Sequence, residues 1–127
     1  MNADEVRDLL ARSRTELDAA RALVERGFSA QAAGHAYYAA FYSAEGALLA
    51  AGETRSKHSG VMSAFGRIAV KEGGFDATIG GILRRLFDLR HAATYDDLEV
   101  GPDTARSAID DAERFVVAVD RWVRQRP

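Results

Sequence analysis

Three groups of residues in this chain have types and spacings that can do chemistry. The first is Arg84-Arg85 followed by Arg90-His91-Ala-Ala-Thr-Tyr95-Asp96-Asp97. Arginine offers a planar fork of donors to a phosphate, histidine exchanges protons near neutral pH, and a tyrosine hydroxyl donates or accepts a hydrogen bond. On a helix His91 and Tyr95 share a face at i,i+4, whereas Arg90 and Tyr95 stand about 140° apart. Those two converge only where the helix ends or a second subunit contributes. The competing possibility is a helix-end salt bridge from Arg90 to Asp96 or Asp97. The second group is Arg55-Ser-Lys-His-Ser-Gly60, basic and hydroxyl-rich at the start of a helix. Free N–H groups there, beside Lys57, His58 and Ser59, make an anion site, unless Ser56 or Ser59 is simply a cap and the charges are solvated. The third is His35, Tyr38, Tyr42 and Glu45, which fall within about 80° of one another on a helix. Tyrosine combines contact area with a polar tip, which suits a subunit interface or a cleft wall. Core packing with the hydroxyls reaching water is the alternative.

Other chemistries are struck out by what the sequence lacks. With no cysteine there are no disulfides, thiolate metal sites or cysteine nucleophiles. No Glu-x-x-His pair for a di-iron bundle and no His-Glu-x-x-His zinc motif occurs. The three histidines, His35, His58 and His91, fall in three different predicted elements, so no local metal motif forms and none is expected. Phosphate-loop and dinucleotide fingerprints are missing too, and the basic stretches do not read as a DNA-recognition helix.

The 127 residues make one domain, 47% hydrophobic and 28% charged, which is ordinary globular composition. Without a long apolar run or a basic-then-apolar start, the expectation is a cytoplasmic protein with no membrane association. Net charge is −2, yet from Thr54 to His91 seven basic residues face three acidic ones, against ten and sixteen elsewhere. A zone of +4 on a body of −6 can take a phosphate-bearing ligand without a uniformly basic surface.

The elements that must position these groups are helical. Alanine occurs 24 times, and proline only at 102 and 127. The spacing predicts helices from about Ala3 to Arg26, with Val6, Leu9, Leu10, Leu17 and Val24 inward, and from Ser29, as cap, to about Ala51. The second carries the core stripe Ala33, Tyr37, Phe41, Ala44 and Leu48. A shorter helix from about Ser59 to Glu72 turns Val61, Phe65, Ile68 and Ala69 inward. A fourth, from about Asp76 to Thr94, carries Ile79, Ile82, Leu83, Leu86 and Leu89 or Ala93. Pro102 opens the last, which repeats Ile109, Ala112, Val116, Val119 and Val123. No convincing strand pattern occurs. The fold class is all-α: one antiparallel bundle, residues 1–127, of four long helices plus one short helix.

Four ordered blocks carry a family resemblance: Ala36-Tyr-Tyr-Ala-Ala-Phe-Tyr42; Ala47-Leu-Leu49; Ser56-Lys-His-Ser-Gly-Val61 with Phe65 and Val70-Lys71; and Leu89-Arg90, Ala93 and Tyr95-Asp-Asp97. Together they resemble the HEPN domain, a helical-bundle family named for nucleotide binding, and within it a small stand-alone bacterial and archaeal branch. The resemblance implies a homodimer. It also implies one of three activities: metal-free RNA cleavage by an Arg-x(4–6)-His pair at the dimer cleft, partnership with a minimal nucleotidyltransferase in toxin–antitoxin-like pairs, or binding of nucleotides or RNA. Arg90 matches the motif's arginine, but Tyr95, Asp96 and Asp97 stand where its histidine is expected. Thr94 replaces an aspartate more usual in this branch, and His35 stands where many relatives carry arginine.

The departure bears on mechanism. Metal-free cleavage needs a base for the 2′-hydroxyl or an acid for the leaving oxygen, and an ordinary tyrosine, with a pKa of about 10, is a poor base. His91 is a substitute, but on a helix it points about 100° from Arg90. The expectation is therefore an RNA- or nucleotide-binding protein without a cofactor, acting with a nucleotidyltransferase partner. Lys57, His58, Arg84, Arg85 and Arg90 meet phosphate, His91 and Tyr95 line the cleft, and Tyr38 and Tyr42 form an interface. By the same resemblance Tyr95 is a candidate for modification by that partner. The alternatives are a metal-independent endoribonuclease using Arg90 with His91 or Tyr95, and a purely structural interaction module.

Overall fold

The computed structural model describes residues 3–53 and 58–126. Five α-helices follow in order: α1 Ala3–Glu25, α2 Ser29–Ala50, α3 His58–Ala64, α4 Ala77–Tyr95 and α5 Pro102–Arg124, with a π-helical stretch Phe65–Glu72 continuing α3. No strand occurs among the described residues. The architecture is the expected all-α bundle of four long helices and a short one. Among the described residues no helix is long and apolar enough to cross a membrane.

The central element is α2, which packs against α1, α4 and α5 as well as the α3 region. Its alanines explain this. Ala32, Ala36, Ala39, Ala40 and Ala44 are fully buried, and a methyl-sized side chain lets neighbouring helices approach on several sides at once. The predicted stripe Ala33, Tyr37, Phe41, Ala44 and Leu48 is buried throughout. From α5, Ile109, Ala112, Val116 and Val119 enter the same core, while Val123 packs at its edge. Leu9, Ile68, Ile79, Leu89 and Ala93, expected to face inward, are only partly buried.

The helix ends differ from expectation in one instructive place. Ser29 does not cap α2. It is the first helical residue, buried, and no side chain caps this end. The turn is closed by backbone instead: Phe28 N–H donates to Leu23 O at 2.9 Å and Gly27 N–H to Val24 O at 3.2 Å. Gly27 supplies the left-handed φ of +86° that this closure requires. The other ends lie close to the positions predicted for them. Asp76 Oδ1 accepts from Ile79 N–H at 3.0 Å at the start of α4, and Pro102 occupies the first turn of α5. α4 stops just past Tyr95, where Asp97 adopts φ +55°. The third predicted helix exists, but its second half is π-helical, burying Phe65 and Ala69.

Candidate functional site

The residues singled out on α2 and α4 come together on one face. Arg90, half-buried, sits with its guanidinium carbon 5.1 Å from the centre of the Tyr38 ring and 5.9 Å from that of Tyr37. Among the described residues it has no carboxylate partner, so the anticipated salt bridge to Asp96 or Asp97 is not formed. A guanidinium held by ring faces keeps its charge uncancelled, and its N–H donors remain suited to a phosphate.

The tyrosines beneath it are fixed by packing. Tyr37 is fully buried and meets Tyr38, Phe41 and Phe87 at centroid distances of 5.1, 5.8 and 5.7 Å. Burial pushes its phenol well above the ordinary value of 10.0, with Tyr38 adding to the shift and Arg90 opposing it. Tyr37 is thus a neutral support and no base. Tyr38 stacks on Tyr42 at 5.9 Å, and both are half-buried. Burial also raises the Tyr42 phenol, against the opposing charge of Arg12.

α1 contributes residues that the sequence reading passed over. The Arg12 guanidinium lies over Tyr42, 4.1 Å from the ring centre. Glu16 Oε1 pairs with His35 Nδ1 at 2.6 Å. Glu45, the fourth member of the predicted polar face, has its carboxyl raised by burial and drawn back by Arg12. The available signal was Arg12 and Glu16 at i,i+4 on the polar side of α1.

His91 occupies a neighbouring position on α4. Its ring stacks on Phe87 at 6.0 Å and meets Tyr95 at 4.8 Å, as the i,i+4 spacing predicted. Tyr95 itself is 68% exposed. Phe87 touches both Tyr37 and His91, so it joins the histidine to the Arg90 cluster.

Of the remaining predicted phosphate ligands, Arg84 and Arg85 do not converge there. Arg85 turns to α5, donating to Asp111 at 3.3 Å. Arg84 pairs with Asp88 at 3.4 Å while its guanidinium carbon stands 5.9 Å from the Phe87 ring, at the margin of the site. Lys57 lies outside the described residues, and at His58 the backbone begins α3. Among the described residues no three His, Asp or Glu side chains gather as a metal site.

Comparison with known proteins agrees with this architecture. The HEPN domain family model matches residues 6–122. A UPF0332 protein of Thermotoga maritima is 35% identical over 113 residues, covering 88% of this chain and 86% of its own length. A protein of Methanocaldococcus jannaschii named "Putative toxin MJ0605" is 32% identical over 122 residues, covering 96% and 91%. The match runs from the first turns of α1 to the last turns of α5 and takes in every residue of the Arg90 cluster: the chain belongs to the HEPN domain family.

Proposed function

We propose that this protein is a toxin-like HEPN protein that binds RNA or a nucleotide as a homodimer and acts with a minimal nucleotidyltransferase partner. The observation that carries the reading is Arg90. It is held over two tyrosine rings with no carboxylate partner among the described residues, whereas Arg84 and Arg85 are matched by Asp88 and Asp111. A positive group positioned without a counter-ion is suited to a phosphate. The relative named as a toxin supports the cellular role, and a cytoplasmic setting suits the ligand. The half-buried Tyr38 and Tyr42 support an interface or cleft wall beside the site.

The His91–Tyr95 contact favours a second reading, a metal-independent endoribonuclease. In it a base takes the 2′-hydroxyl proton, the 2′-oxygen attacks phosphorus, and the 5′-oxygen leaves with a proton. Arg90 would stabilise the charge on the phosphorus oxygens, and His91 or Tyr95 would handle the protons.

The test is RNA binding and RNA cleavage in EDTA by wild type and Arg90→Ala, both checked for fold and assembly. Binding that weakens with salt and is reduced by Arg90→Ala, without cleavage, supports the first reading. Cleavage abolished by Arg90→Ala supports the second. Neither binding nor cleavage defeats both, leaving a structural interaction module in which Tyr42→Ala disturbs assembly.

A further inference from the structure

We propose that Arg12 of α1 is a second phosphate-binding residue, and that Arg12 and Arg90 flank the Tyr42–Tyr38 pair as the two ends of a seat for single-stranded RNA. The inference rests on the reading above and adds to it a residue, a ligand class and a register.

The geometry is a series of contacts: Arg12 over Tyr42 at 4.1 Å, Tyr42 stacked on Tyr38 at 5.9 Å, and Arg90 over Tyr38 at 5.1 Å. These steps set the two guanidinium carbons no more than about 15 Å apart. At the ~3.4 Å axial spacing per phosphate of a stacked strand, that interval accommodates a few nucleotides. Each arginine lies over its own ring, and we assign one phosphate contact to each. Like Arg90, Arg12 forms no ion pair among the described residues, although two acids lie near it. Glu16 is taken up by His35 at 2.6 Å, and Glu45, whose carboxyl is raised by burial and drawn back by Arg12, makes no ion pair with it among the described residues. Neither acid cancels the guanidinium in the way Asp111 answers Arg85.

The choice of a single strand follows from the rings. Tyr38 and Tyr42 are half-buried between the two charges, and the aromatic series continues through Tyr37, Phe87 and His91 to the exposed Tyr95. The faces of Tyr38 and Tyr42 are taken by the arginines and by each other, so the ring open to a base is the exposed Tyr95 at the end of the series. Such a ring in line with arginines takes an unpaired base, whereas a duplex hides its base faces within its own stack.

The experiment measures binding of three probes by fluorescence or calorimetric titration: adenosine monophosphate, a single-stranded RNA hexamer, and the same hexamer in a duplex. Wild type is compared with Arg12→Ala, Arg12→Lys, Arg90→Ala and, as an exposed control, Arg106→Ala. Arg12→Ala is expected to weaken the single-stranded hexamer about ten-fold, the size of one charge-assisted contact. The slope of log K against log salt should flatten by ~0.7, while monophosphate binding is unchanged. Arg12→Lys should keep the salt slope. Arg90→Ala should weaken both the monophosphate and the hexamer. If Arg90→Ala weakens the hexamer and Arg12→Ala does not, the proposal falls while the Arg90 reading stands. An equal loss of monophosphate and hexamer in Arg12→Ala, or duplex binding as tight as single-strand binding, also overturns it. If Arg90→Ala changes nothing, both readings fall together.

Discussion

Removing the Arg90 side chain tests whether rings, rather than a carboxylate, hold this residue. Its guanidinium carbon lies 5.1 and 5.9 Å from two tyrosine ring centres, within the range where cation–π attraction acts. Two such contacts at a half-buried position are together worth about 1–2 kcal/mol. For a chain of this size that corresponds to a loss of about 4–8 °C in melting midpoint. Arg85→Ala breaks an exposed ion pair to Asp111 and should cost about 0–1 kcal/mol, an effect that fades in 1 M salt. Arg90→Met retains the aliphatic stem and removes the charge, so its difference from wild type isolates the ring contribution from packing. The assay is thermal melting at 0.1 and 1 M salt at fixed protein concentration. The expected result is a larger loss for Arg90→Ala than for Arg85→Ala, with Arg90→Met between, and an Arg90 loss that persists in high salt. An Arg90→Ala loss that vanishes in 1 M salt, or one no larger than that of Arg85→Ala, would refute the argument.

Two further outcomes concern the scaffold around the site. Burial raises the Glu45 carboxyl above its ordinary 4.5, so the folded state binds this proton more tightly than the unfolded chain does. The contribution is fully present below the unfolded value and is lost as pH rises through the folded one. Glu45→Gln should therefore raise the melting midpoint at pH 7 and leave it nearly unchanged at pH 4; a destabilised Gln variant at pH 7 would show that Arg12 outweighs desolvation. At Gly73 an added Cβ would stand 2.7 Å from Trp122 Cζ2 and 2.8 and 2.9 Å from the Ala69 and Ile68 carbonyl oxygens. Two of those atoms are backbone, so Gly73→Ala should cost about 1–3 kcal/mol. It should also disturb the 2.8 Å bond from Trp122 Nε1–H to Gly73 O. The fluorescence of the single tryptophan reports the change directly, and an unshifted spectrum with an unchanged midpoint would contradict it.

How far the sequence could be read depended on what each residue answers to. The α2 stripe from Ala33 to Leu48 was legible because burial on one helix imposes a 3.6-residue period that no other local arrangement reproduces. The α4 start at about Asp76 was legible from the apolar spacing, and the structure adds that the Asp76 side chain caps it. Ser29 misled because α2 begins one residue earlier than a serine cap would require: Phe28 holds the cap position and Ser29 is buried as the first helical residue. The π-helical stretch was not legible, since the spacing of Val61, Phe65, Ile68 and Ala69 suits either helix type over so few turns. The fate of the arginines was beyond sequence reasoning for a different reason. Arg84, Arg85 and Arg90 are alike as residues, and only the packing of α2 and α5 on either side of α4 decides which meets a ring and which meets Asp111. Arg12 stayed hidden because its ring is supplied by another helix, and its i,i+4 spacing to Glu16 does not say which helix that polar side meets.

The same packing separates the two jobs that the α4 motif could do. Adjacent residues on a helix point about 100° apart, and the rings register this: Arg90 lies over Tyr37 and Tyr38, whereas His91 lies between Phe87 and Tyr95. Tyr37 contacts both Arg90 and Phe87, so the two sets share a support, but that support is buried and remains neutral. A phosphate seated on Arg90 therefore meets ring faces first, and the groups proposed to move protons beside it, His91 and Tyr95, stand beyond Phe87. Binding asks only for the held guanidinium, which one chain already provides. Cleavage asks for a second group at the same phosphorus, which is why binding by Arg90 is proposed ahead of cleavage.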